Sequence, residues 1–102
     1  MKVLRAELLE DAKKHHADLR GPLESWRVTT ESAAWRNFAE LKQTFPSADA
    51  PFKNRTIFNI KGRKYRLIAQ VAYQLGVVNV MWVGTHAEYD KIDIKTLPEP
   101  QP

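Results

Sequence analysis

The chain has 102 residues, no cysteine, and 16 lysines and arginines against 12 acidic residues. That length suits one small domain with a single modest core, and the missing cysteines exclude disulfides, a thiolate nucleophile and cysteine-based zinc sites. The positive charge is uneven: no acidic residue stands between Asp49 and Glu88, an interval that holds Lys53, Arg55, Lys61, Arg63, Lys64 and Arg66. A one-signed stretch on a small domain attracts polyanions, and it is equally compatible with a solvated basic face. No apolar run approaches the roughly 20 residues of a spanning helix, so no membrane partner is expected. The opening "MKVLRAELLEDAKK" becomes charged too soon for a signal peptide, which makes the cytoplasm the expected location.

In chain order, "MKVL" reads as a short first strand. Leu8, Leu9, Ala12 and then His15 or His16 recur at helical spacing, with acidic residues early and lysines late, as the helix dipole favours. Asp18 is placed to N-cap a second helix with Pro22 in its first turn, and Leu23 and Trp26 form its inner stripe. Asn37 and Glu40 have capping-box spacing ahead of a short third helix, in which Phe38, Leu41 and Phe45 face inward and which Pro46 stops. His15 and His16 are surface or boundary residues; a metal site there would need a further carboxylate such as Asp18 or Glu24.

"PSADAPFKNR" reads as a loop, with two prolines and turn residues. The period then becomes two. In "TIFNIK", Phe58 and Ile60 share one face, with Ile57, Asn59 and Lys61 on the other; in "KYRLIAQVAY", Tyr65, Leu67 and Ala69 oppose Lys64, Arg66 and Ile68. An even-numbered loop between these strands preserves side-chain parity. It puts Phe58, Ile60, Tyr65 and Leu67 against the helices and Asn59, Lys61, Lys64 and Arg66 on the free face. "VVNVMWVG" completes a meander. The expected fold is α+β: N-terminal helices packed on one face of a small antiparallel sheet. The order is β-α-α-(α)-β-β-β with a short C-terminal helix or tail. Residues 1–95 form one domain and residues 96–102, "TLPEPQP", a proline-rich tail.

Two stretches, "IFNIKGRKYRLIAQVAY" and "VNVMWVGTHAEYDKID", separated by one turn, resemble the HigB type of toxin in the RelE/ParE superfamily of bacterial toxin–antitoxin systems. The resemblance extends from "MKVL" through "DKID". It implies helices on an antiparallel sheet, an endoribonuclease that cuts messenger RNA, often on the ribosome, and an antitoxin partner with a helix-turn-helix domain. ParE relatives share the scaffold but act on a DNA gyrase. A non-nucleolytic toxin, or a generic basic RNA-binding module, is therefore the rival reading.

Metal-free RNA cleavage uses the 2′-hydroxyl as nucleophile. The protein must supply a proton acceptor, a proton donor for the leaving 5′-oxygen, and cations for the phosphorane. No metal and no cofactor is expected. The resemblance carries over onto Arg66, a strand cation with a fork suited to phosphate, and onto His86, the basic residue following the glycine at the end of the last strand; imidazole exchanges protons near neutrality. Tyr89 and Lys61 complete the catalytic candidates. Arg63, Lys64, Lys53, Arg55, Asn59 and Trp82 are the RNA-binding candidates, Trp82 because it has the parity of Val78 and Val80. Each has a plain rival. Arg66 can be a solvated strand residue, Tyr89 can pack in the core, and Asp90 can cap or pair with a lysine. His86 can brace a terminal turn that Thr85 and Glu88 cap.

Overall fold

In the computed structural model, which describes residues 1–97, one short strand precedes the helices and a meander follows them. β1 (Lys2–Leu4) leads into α1 (Glu7–His15), a 3₁₀ turn (Ala17–Leu19), α2 (Arg20–Ser32) and α3 (Phe38–Thr44). Then come β2 (Asp49–Phe52), β3 (Arg55–Ile60), β4 (Tyr65–Ala72), β5 (Val77–Thr85), α4 (His86–Tyr89) and a second 3₁₀ turn, Ile94–Thr96. This is the expected α+β, helix-backed architecture, with strand order β1-β5-β4-β3-β2.

Two features correct the simple meander. β1 runs parallel to β5, so the sheet is mixed rather than antiparallel. β2, in the stretch read as a loop, adds an antiparallel fifth strand beside β3. Asp49 and Pro51 both argue against a strand by propensity. β2 is an exposed edge strand, however, and proline is tolerated where no ladder bond is asked of its nitrogen.

Between the helices and the sheet, Leu9, Leu19, Leu23 and Leu41 pack against Phe58, Leu67, Val78 and Val80, all fully buried. Trp26 and Phe45 both meet Phe58 edge-on, with centroids 5.3 and 5.2 Å apart. Such pairs add about 0.5–1.5 kcal/mol each beyond the area they bury. Ile60 pairs with Tyr65, so the β3–β4 loop has four residues and parity holds across it. Phe58, Ile60, Tyr65 and Leu67 join the helix-side core, and Asn59 stands opposite Arg66 on the other face.

That other face is not bare. Ile57, Ile68 and Met81 form a second apolar cluster, covered by Ile94 and Leu97. Arg55 fastens the cover: its Nε donates to the Ile94 carbonyl at 3.0 Å and its Nη2 to the Leu97 carbonyl. Packing therefore continues to Leu97, past the expected boundary at residue 95; residues 98–102 of the expected tail lie outside the described residues. In β5, Ala69 pairs with Val80 and Ile68 with Trp82, leaving Met81 as an extra residue, a β-bulge. Met81 and Trp82 both turn to the second cluster and Val83 returns to the helix side. The parity that grouped Trp82 with Val78 and Val80 is thus broken. Gly84 makes room for the displaced indole: a Cβ there would stand 2.6 Å from its Cζ2 and Cη2.

Candidate functional site

Arg66 lies near the start of β4, between Asn59 of β3 and Gly84 of β5. Its guanidinium sits 4.4 Å from the ring centroid of Tyr89, a cation–π contact. The Nε of Arg66 and the Oδ1 of Asn59 are buried, and neither has a hydrogen-bond partner among the described residues. The Asn59 Nδ2 donates to the Ser47 carbonyl at 3.2 Å, which draws the loop before β2 over the sheet. The result is a cleft of about 260 Å³ whose walls include Asp49, Asn59, Arg63, Arg66 and Tyr89. Unpaired buried donors and acceptors cost stability; two more, Trp26 Nε1 and Thr30 Oγ1, lie in the helix layer away from this cleft.

α4 lies at one end of the site, and it is capped as the plain rival for His86 supposed. Thr85 accepts from the Glu88 N–H at 3.0 Å and its own N–H donates to the Glu88 carboxylate at 2.8 Å, a complete capping box. These bonds hold the Glu88 carboxyl below its ordinary range. The imidazole of His86 carries none of the capping. It stacks on Tyr89 with centroids 6.3 Å apart and planes 17° apart, and its Nδ1 faces the Asp90 carboxylate at 3.8 Å. Trp82 meets Tyr89 edge-on at 6.4 Å. Arg66, His86 and Trp82 therefore all meet the Tyr89 ring.

Several other candidates stand elsewhere. Lys61 and Lys64 do not project from the free face: each places its Nζ 2.9 Å from Oδ2 of Asp18, on the helix side. Alternation holds only for extended backbone, and Lys61 is left-handed, with φ of 55°. Asp18 accordingly makes no side-chain cap for α2. Its carboxyl is held far below the ordinary range by the bonds from Lys64, Lys61 and Tyr65. Arg55 is committed to the C-terminal segment. Lys53 is exposed at the β2–β3 turn and lines a groove with Phe52 and Tyr73, not the Arg66 cleft. Arg63 and Asn59 do reach the cleft. Asp49 is the residue that sequence reasoning missed. It is the last acidic residue before the basic interval, and only the pairing of β2 with β3 carries it to the cleft.

Among the described residues no three histidine, aspartate or glutamate side chains gather as a metal site. No helix among them is long and apolar enough to cross a membrane. The helix-backed, five-stranded mixed sheet is consistent with a RelE-like fold. The family profile described as HigB_toxin, RelE-like toxic component of a toxin–antitoxin system, matches residues 19–92. The chain belongs to that family, and membership implies an antitoxin partner. Among curated proteins no match is found.

Proposed function

We propose that the protein is a metal-independent endoribonuclease that cleaves messenger RNA, on the ribosome, by attack of a 2′-hydroxyl on the adjacent phosphate. The observation that carries this reading is Arg66, a guanidinium held on the face of Tyr89, its Nε without a protein acceptor, in a cleft that also presents Arg63 and Asp49. Arg66 and Arg63 hold the scissile phosphate and oppose the charge that builds on the phosphorane. Asp49 accepts the proton of the 2′-hydroxyl as the 2′-O–P bond forms. His86, beside Asp90 at the rim, gives a proton to the 5′-oxygen as the P–O5′ bond breaks. Atoms balance without water: the products are a 2′,3′-cyclic phosphate and a free 5′-hydroxyl. Tyr89 holds the Arg66 guanidinium in place against its ring. DNA lacks the nucleophile and is not cut.

The test is inducible expression in bacteria with growth and transcript integrity followed together, then cleavage by purified protein with programmed ribosomes. Expected are growth arrest, transcripts cut within coding sequence, activity that persists once the ribosomes' own magnesium need is met by a non-catalytic substitute, and cyclic-phosphate ends. Products ending in a 3′-hydroxyl would exclude the 2′-hydroxyl route. Arrest with intact transcripts and poisoned gyrase would move the protein to the non-nucleolytic class. A helix-turn-helix antitoxin that neutralises the cleft is the expected partner, and the cytoplasm, where messenger RNA is translated, the expected compartment.

A further inference from the structure

We propose that Asp18 is a positioning residue for this site: from the helix layer it fixes the tip of the β3–β4 hairpin and, through that tip, the start of α4. The inference rests on the nuclease reading for its kinetic consequences but not for its geometry. One carboxylate receives three donors from the hairpin: Lys61 Nζ at 2.9 Å, Lys64 Nζ at 2.9 Å and the Tyr65 hydroxyl at 2.7 Å. The Tyr65 ring is held on its other side by His16, with centroids 5.1 Å apart, and Lys64 leans over it at 5.5 Å.

The tip needs such an anchor. Lys61 and Gly62 are both left-handed, with φ of 55° and 66°, so the tip has left the extended geometry that the sheet ladder enforces. What the tip then does is visible on its far side. The Lys64 carbonyl accepts the backbone N–H of His86 at 3.1 Å, fixing where α4 begins. Arg63, between the two anchored lysines, lines the cleft. A single carboxylate in the 3₁₀ turn between α1 and α2 thereby sets both a phosphate-facing arginine and the imidazole at the rim. It also keeps two ammonium groups of the basic stretch engaged on the helix side.

The decisive variant is Asp18→Asn. Displacement of reacting groups by about an ångström costs up to about a hundredfold, and a fall in kcat of roughly ten- to a hundredfold is expected. RNA binding should not weaken. Two ammonium groups come free, so the slope of log affinity against log salt should steepen by about 1.4, at roughly 0.7 per phosphate neutralised on a single strand. Amide exchange should quicken at Lys64 and His86 and stay unchanged at Val80 in the sheet centre. Asp18→Glu, which restores the charge, should return the salt slope to the parent value and recover part of kcat. Tyr65→Phe leaves both lysines paired, so it should lower kcat less and leave the salt slope alone. An Asp18→Asn protein with parental kcat, or one whose loss appears as a raised KM, overturns the proposal. So does one in which exchange rises everywhere together. If the parent itself cuts no RNA, the nuclease reading fails, and exchange at Lys64 and His86 still decides whether Asp18 positions the tip.

Discussion

Arg55 and Arg66 rise from neighbouring strands on the same face of one sheet and carry the same charge, but they are held in opposite ways. Arg55 donates to the backbone carbonyls of Asn54, Ile94 and Leu97. That guanidinium secures the C-terminal segment over Ile57, Ile68 and Met81. Arg66 lies instead on a ring face, which fixes its position without a hydrogen bond at Nε. A cation bonded to the carbonyls of another segment holds structure together; a cation held by an aromatic ring beside a cleft is the one proposed to meet phosphate. Charge counted along the sequence does not distinguish them.

The largest effect that would break or sharpen this contrast lies at the Arg66 end. His86→Gln should lower the cleavage rate by about 10²–10⁴, the usual worth of a general acid. Its melting temperature should stay close to the parent's, because Thr85 and Glu88 cap α4 without the imidazole. A fully active, well-folded His86→Gln would remove the imidazole from the mechanism. Arg66→Ala should cost about 10²–10³ in kcat, and Arg66→Lys should recover only part of it, since an ammonium lacks the guanidinium fork. Equal cleavage by the alanine and parent proteins would leave Arg66 without a chemical role.

Arg55→Ala should behave in the reverse manner. Loss of its bonds to two partly buried carbonyls should destabilise the fold by about 1–3 kcal/mol, read by denaturant titration, while the folded fraction keeps nearly the parental kcat. Abolished cleavage at unchanged stability would erase the distinction between the two arginines. The smallest effect concerns pH. The Asp18 carboxyl is depressed in the fold by Lys64, Lys61 and Tyr65 from an ordinary 3.8. Its stabilisation is therefore complete above that value and is lost as pH falls through the folded one. The gap in melting temperature between parent and Asp18→Asn should be steady from neutrality to about pH 5 and narrow on further acidification. A gap that widens with acid would carry the wrong sign.

Most of the helix-side core was legible in the sequence because it obeys two periods, 3.6 in α1 and α2 and 2 in β3 and β4. An even-numbered hairpin loop followed from the same alternation, and with it the shared face of Asn59 and Arg66; its length of four came only with the structure. What could not be read was whatever depends on chain segments meeting at a distance. Asp18 has the local pattern of a helix cap, yet its partners Lys61, Lys64 and Tyr65 lie 43, 46 and 47 residues away. Asp49 sits in a stretch whose local chemistry says loop, and becomes a cleft residue only through pairing with Ile57. Arg55 looked like any other member of the basic run until the C-terminal carbonyls arrived beside it.

The bulge at Met81 has a consequence of another kind. It works like a shift of reading frame within β5. Ahead of it, even-numbered residues such as Val78 and Val80 belong to the core; beyond it, Val83 belongs to the core and the even positions Trp82 and Gly84 to the opposite face. One strand thereby serves two sets of constraints that share no phase. Were Met81 to take an ordinary paired place instead, Trp82 would return to the helices, and Gly84, Thr85 and the beginning of α4 would turn by one step. The half of β5 that builds the core would remain in register, and the half that carries the site would face the wrong way.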